Sequence, residues 1–134
     1  MRVVKFRAWD KEIEKIYPVL KIDFVEEWVS MYSKITGRHY NWLNNLVLMQ
    51  YTGLEDKNGE EIYESYIVKF DPQSPCGDEF YNPRDGEIGE VIFDFGSLVV
   101  RPIDKKRESL RFSLSELGDW VVVGNIYENP ELLQ

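Results

Sequence analysis

The chain has one cysteine and one histidine in 134 residues, and these scarcities remove several chemistries at once. Cys76 alone permits no internal disulfide, which fits a reducing compartment. With His39 alone, any zinc site or Ser-His-Asp triad has to be built without a second imidazole. Long apolar runs are missing as well. No stretch approaches the roughly 18 apolar residues of a membrane span, and Arg2, Lys5 and Arg7 interrupt the N-terminus where a signal peptide would carry its apolar core. The expected setting is the cytoplasm, with no membrane partner. Basic residues are outnumbered, 16 Lys and Arg against 24 Asp and Glu, giving a formal charge of −8. Nucleic-acid affinity rests on Lys and Arg displacing counterions from phosphates, so a uniformly acidic surface disfavours general nucleic-acid binding. No Gly-rich phosphate loop follows a predicted strand, and neither a βαβ alternation nor an internal repeat is visible.

What remains is enough for a folded core. Hydrophobic residues make up 43% and aromatics 14% of the chain, and the length reads as one domain over 1–134. Val4, Phe6 and Ala8 alternate with Lys5 and Arg7 as in a half-buried strand. Ile13–Val19 reads as a strand that is an edge or ends at Pro18, since proline cannot donate to a ladder. Leu20–Phe24 reads as a further short strand. Val25, Trp28, Val29 and Tyr32 have the i, i+3, i+4, i+7 spacing of a short amphipathic helix, with a strand as the competing reading of 25–32. Residues 38–45 read as a polar loop with Trp42 and Leu43 tucked inward. Leu46–Tyr51 leads into a turn at Asp56-Lys57-Asn58-Gly59, where Asn and Gly accept positive φ cheaply, and Ile62 or Tyr63 through Phe70 runs back as a strand. Residues 71–86 hold Pro72, Pro75, Gly77, Pro83 and Gly86, the marks of a long loop, mobile or partner-bound. Glu90–Phe95 and Leu98–Arg101 make a hairpin about Gly96-Ser97. Ser115–Gly118 suits one short turn, Trp120–Val123 a buried strand, and Asn129-Pro130-Glu131-Leu132-Leu133 a helical turn with Asn at the cap and Pro first.

No constellation of catalytic type stands out. His39 lies between Arg38 and Tyr40 without the orienting partners catalysis requires, so a surface or packing role fits it. Cys76 sits in an acidic loop, where carboxylates oppose thiolate formation. Asp56–Glu61 superficially resembles a calcium loop, but its glycine is fourth and not sixth, and strands replace the flanking helices. Gly77-Asp78-Glu79-Phe80 matches part of a nucleotide-cyclase signature without the α/β unit around it. Lys105-Lys106-Arg107, the one compact basic run, is flanked by Asp104 and Glu108 as a solvated connector would be. Acidic pairs such as Glu26-Glu27 and Glu60-Glu61 are expected by chance in so acidic a chain. No residue is assigned a catalytic, cofactor-binding or metal-binding role. The aromatics are the remaining signal. Trp9, Trp28, Trp42 and Trp120, with eight tyrosines, fill a core of this size with some to spare, and a surplus marks partner surfaces.

Three blocks of sequence carry a resemblance. Lys5-Phe6-Arg7-Ala8-Trp9-Asp10, the run from Leu48 to about Val68, and Val123 to Leu133 with Gly124-Asn125-Ile126-Tyr127-Glu128-Asn129-Pro130 at its centre resemble the signature blocks of the YopX family, small proteins of phages and prophages. One departure is Glu64-Ser65-Tyr66-Ile67-Val68, where the family pattern has Glu-Gly-Asp-Ile-Val. Strand content and resemblance together give the expected fold: mainly β, antiparallel, a small SH3-like barrel or roll with additional strands and one or two short helices. The expected role is that of a non-enzymatic phage or prophage accessory protein acting through protein–protein contacts, a homo-oligomer with possible host or phage protein partners in the host cytoplasm. The alternative is a nucleic-acid-associated module, on fold analogy.

Overall fold

The computed structural model describes residues 3–72, 80–114 and 119–134. It divides into two compact units, Met1–Tyr51 and Thr52–Gln134. The strands are antiparallel and sort into two sheets without closing into a barrel. The only helical elements among the described residues are two single 3₁₀ turns, Leu43–Asn45 and Pro130–Leu133.

In the first unit β1 (Phe6–Asp10), β2 (Lys15–Asp23), β3 (Trp28–Ser33), β4 (Gly37–Trp42) and the start of β5 (Leu46–Glu55) lie in the order β4-β3-β2-β1-β5. Residues 25–32 resolve in favour of the strand. Asp23 accepts the Val25 and Glu26 N–H groups on one carboxylate oxygen, which closes a turn before any helix can start. Val29 and Met31 are fully buried, while Trp28, Ser30 and Tyr32 take the other face, where Ser30 is buried as well. Val29 and Met31 join Ala8 and Leu46 in the core, walled by Tyr17, Val19, Ile22, Leu43 and Leu48. Burying such side chains contributes about 1.5–3 kcal/mol each.

Three expectations are corrected here. Ile13–Val19 and Leu20–Phe24 are not two strands; β2 is continuous and interior, between β1 and β3. Pro18 is tolerated because its ladder to β1 ends there, at Arg7, while the ladder to β3 begins only at Val19, with a bulge before Lys21. Residues 37–42 form a strand and not a loop, and Trp42 lies exposed.

The second unit orders β10 (Phe112–Ser113), β9 (Ser97–Pro102), β8 (Ile88–Asp94), β7 (Tyr66–Phe70) and β11 (Trp120–Asn125) in that sequence, with β6 (Glu61–Tyr63) beside the Thr52–Glu55 end of β5. The Asp56–Gly59 turn forms as read, with Gly59 at φ +83°. The strand expected through Phe70 instead breaks at Glu64-Ser65, a corner at which Ser65 takes φ +71°. Its N–H donates to Val91 O and its carbonyl accepts from Ile126 N, so two neighbouring strands hold the serine in a conformation that glycine would take without strain. Tyr66, at the position of the family's aspartate, is buried. The hairpin between β8 and β9 turns on Phe95-Gly96, one residue before the expected Gly96-Ser97, with both residues at positive φ (+50° and +83°), the signature of a type I′ turn, which Asn, Asp or Gly ordinarily opens. Trp120, Phe70 and Phe112 pack ring on ring, and the Trp120 indole N–H donates to Ser113 O. Cys76 and 115–118 lie outside the described residues.

Candidate functional site

The residues that carry the family resemblance are committed to the fold. Asp56 is buried. One of its oxygens accepts the Asn58 and Glu60 N–H groups at 2.8 and 2.9 Å, and the other accepts the Val122 N–H at 3.0 Å. Beside it Lys57 N donates to Trp120 O, so the central turn latches the free edge of β11. At the end of β11, Asn125 Oδ1 accepts from Tyr127 and Glu128 N, and Asn129 Oδ1 accepts from Asn125 N. Asn129 does not cap the following 3₁₀ turn with its side chain. Gly124 makes room for it, since a Cβ there would sit 2.5 Å from Asn129 Oδ1. In the first unit, Asp10 plays the same part: Oδ1 accepts Glu12 and Ile13 N, and Oδ2 accepts Asn41 Nδ2.

The basic run is only partly a solvated connector. Lys105 and Lys106 are exposed, but Arg107 is buried. Its guanidinium holds both oxygens of Glu87 at 2.7 and 3.0 Å and donates to Phe80 O and Asn82 O, between the faces of Phe80 and Phe112. Glu87 pushes the guanidinium still further above its ordinary pKa. Arg107 thus ties down the described end of the 71–86 segment. An open cavity of about 920 Å³ borders it, with Arg84, Lys105 and Lys106 among its cations, Asp85 and Asp104 among its anions, and Ile103 and Leu132 on its apolar side. Its charges are mixed, so it selects no one class of ligand. His39 lies in β4 with its ring edge-on to Tyr17 at 4.6 Å, and neither buried ring nitrogen has a partner. Among the described residues no three His, Cys, Asp or Glu side chains converge as a metal site. No helix there is long and apolar enough to cross a membrane.

Three of the exposed aromatics, Tyr32, Tyr40 and Trp42, lie with Trp28 on one face of β3 and β4. The register pairs Trp28 with Trp42, Ser30 with Tyr40 and Tyr32 with Arg38, which places all six on one side of the sheet. Tyr40 and Trp42 are 60% and 61% exposed. Tyr40 packs edge-on against Trp28 at 5.5 Å, and Lys21 Nζ lies over the Trp28 ring. Trp28, Tyr40, Asn41 and Trp42 line an open hollow of about 430 Å³. The alternation of residues 38, 40 and 42 carried the signal for this face in the sequence, masked by the polar side chains between them.

Charge is divided unequally along the chain. Met1–Tyr51 holds eight Lys and Arg against six Asp and Glu, a net +2. Thr52–Gln134 holds eight against eighteen, a net −10. The acidic excess therefore belongs entirely to the second unit, and the aromatic face to the other.

Comparison with known proteins adds a family and a fold. The profile described as YopX protein matches residues 5–134. Protein EF1440 from Enterococcus faecalis is similar in structure at a TM-score of 0.67 and 25% identity, covering 100% of both chains. Protein yopX from Bacillus subtilis is similar at a TM-score of 0.59 and 20% identity, covering 100% of this chain and 98% of that one. No curated protein matches. With 130 of its 134 residues spanned by the family match, the chain belongs to the YopX family.

Proposed function

We propose that this is a non-enzymatic phage or prophage accessory protein that acts through protein–protein contacts, with the β3–β4 aromatic face as its contact surface. One observation carries this reading. Tyr40 and Trp42 stand 60% and 61% exposed around a hollow floored by Trp28, and large aromatics left in water side by side are characteristic of interface centres. Asp10, Asp56, Asn125 and Asn129 of the signature blocks are engaged in turns and latches, whereas the rings of Tyr40 and Trp42 remain open to a partner. A photo-crosslinking residue at position 40 should yield a discrete protein adduct in expressing cells, and one at Phe93, an exposed position of the second unit, should not. Absence of an adduct at position 40 would overturn the reading.

A second reading has one observation in its favour. Lys21 over Trp28 and Arg38 beside Tyr32 give the face cations among stacking rings, the ingredients of a single-strand nucleic-acid platform. It is the weaker one, because two cations neutralise few phosphates and the adjoining turn carries Asp23, Glu26 and Glu27. Quenching of tryptophan fluorescence by a single-stranded oligonucleotide, reversed by salt, would favour it over the first.

A further inference from the structure

We infer that the partner on this face is a second copy of the chain, joined through β4 in a two-fold antiparallel strand pair. The inference rests on the protein-contact reading above and names its partner.

The edges decide where pairing can occur. β11, the C-terminal edge, is latched by Asp56 and Lys57. β10, at the other end of the same sheet, is two residues long. β4 is six residues long, contains no lysine, proline or bulge, and ends its sheet. Lysine, proline and bulges are the usual means of blunting an edge. The Leu43 N–H donates to Glu27 O, and the alternation of an antiparallel ladder then turns the backbone groups of Asn41, His39 and Gly37 toward β3 and those of Arg38, Tyr40 and Trp42 outward. Among the described residues no further strand pairs with β4 on that outer side. Trp42 N is already held by Asn41 Oδ1 at 2.8 Å, and Trp42 O is the N-cap carbonyl of the Leu43–Asn45 3₁₀ turn, so both groups of Arg38 and Tyr40 are what the edge offers a partner.

A strand edge of this kind is its own complement. The register that sets Tyr40 across from Tyr40 of the second copy is the one that uses all three outward residues. It makes two bonds between the Tyr40 backbones, brings each Arg38 N to the second lone pair of a Trp42 O whose first serves the 3₁₀ turn, and leaves the Trp42 N–H with Asn41. On the aromatic side it sets each Arg38 across from the Trp42 ring of the other copy, a cation–π pairing in place of a cation facing a cation. The alternative with His39 at the centre pairs Arg38 with Tyr40 twice and leaves both Trp42 rings in water. Charge favours this edge too, because it lies in the unit of net +2 and not in the unit of net −10.

Sedimentation velocity on the full chain is the first test. We expect a dimer, twice the chain mass of 15.9 kDa, at micromolar concentration. Tyr40→Pro removes an outward N–H that β3 does not use, as edge strands tolerate. Tyr40→Lys keeps the N–H and faces a lysine with a lysine. Each should raise the dimer dissociation constant roughly tenfold or more with an unchanged far-ultraviolet circular dichroism spectrum, so either variant serves if the other misfolds. In a Cys76→Ser background, Tyr40→Cys should be joined to its copy by a short bis-maleimide reagent, and Leu20→Cys should not. A wild-type chain that stays monomeric at 100 μM, or a dimer that survives both folded Tyr40 variants, would overturn β4 pairing. A monomer that still gives a position-40 photo-adduct with another protein would sink the pairing and leave the contact reading standing.

Discussion

At the scale of single residues, the family signature is a set of backbone acceptors and steric allowances. Asp56 shows this most clearly, because three N–H groups from two separate segments end on one buried carboxylate. Asp56→Ala strands all three donors and should destabilise by roughly 3 kcal/mol or more. Asp56→Asn keeps the acceptor for Asn58 and Glu60 but turns an amide toward Val122 N, and should lose roughly half as much. Urea unfolding of the two variants orders them, and an Asn variant as damaged as Ala would mean that the latch to β11, not the turn, holds most of the energy. Ser65 makes the opposite case. At φ +71° a side chain costs about 1 kcal/mol over glycine, so Ser65→Gly should stabilise by about that amount. An unchanged urea midpoint would mean that the corner relaxes around the serine. Asp71 offers a titration check. Its hydrogen bond and charge contact with Lys57 lower its pKa below the ordinary carboxylate range. A lowered folded-state pKa means the contact is present above the ordinary value and is lost as pH falls through Asp71's own, so its midpoint by NMR titration should move upward in a Lys57→Ala variant.

At the scale of elements, what could be read in the sequence depended on whether neighbours in the chain are also neighbours in space. The Asp56–Gly59 turn was legible because a tight turn is written in four consecutive residues, and the second hairpin was legible only to within one residue, read about Gly96-Ser97 but turning on Phe95-Gly96. The identity of 25–32 was ambiguous because Val25, Trp28, Val29 and Tyr32 satisfy a helical spacing, while Val29 and Met31 against Trp28 and Tyr32 satisfy a strand. The Asp23 turn settles it, through a side-chain bond that spacing alone does not contain. The interior position of β2 was hidden because Pro18 argues for an edge, and the staggered ends of its two ladders are a tertiary fact. Arg107 looked solvated beside two lysines, and Glu87, Phe80 and Asn82, twenty or more residues away, bury it. Arg107→Ala should therefore cost about 3 kcal/mol by leaving the Glu87 carboxylate buried with only the Arg84 N–H on it, whereas Lys106→Ala should change the midpoint by less than about 0.5 kcal/mol. The β8–β9 hairpin carries its own contradiction: Phe95 is 95% exposed at positive φ, where Asn or Gly would ordinarily sit. Phe95→Asn should raise stability by about 1 kcal/mol, measured by thermal unfolding, and a loss would reveal a contact that the exposed ring makes in solution.

At the scale of the whole molecule, the −8 formal charge misrepresents both units. Averaged over the chain it predicts a surface hostile to anions everywhere, yet all of the excess sits in Thr52–Gln134, whose net is −10, while Met1–Tyr51 is net positive. Self-repulsion among like charges destabilises a compact state, and salt screens it over a Debye length of about 10 Å at 0.1 M. Some of that acidity is already matched within the second unit, by Arg107 on Glu87, Arg101 on Glu90 and Arg111 on Asp94. These contacts oppose the trend, because salt weakens exposed pairs while it relieves repulsion. The buried Arg107 pair is shielded from that loss, so the remaining excess of carboxylates decides the sign. Raising sodium chloride from 20 to 500 mM should increase the melting temperature of the second unit, followed through Trp120 fluorescence in a variant lacking the other tryptophans. The same change should leave the first unit's transition, followed through Trp28, nearly unmoved. Equal shifts in both would show that the two units unfold as one cooperative body and share a single charge balance, and a fall in the second would mean that its ion pairs outweigh its repulsion.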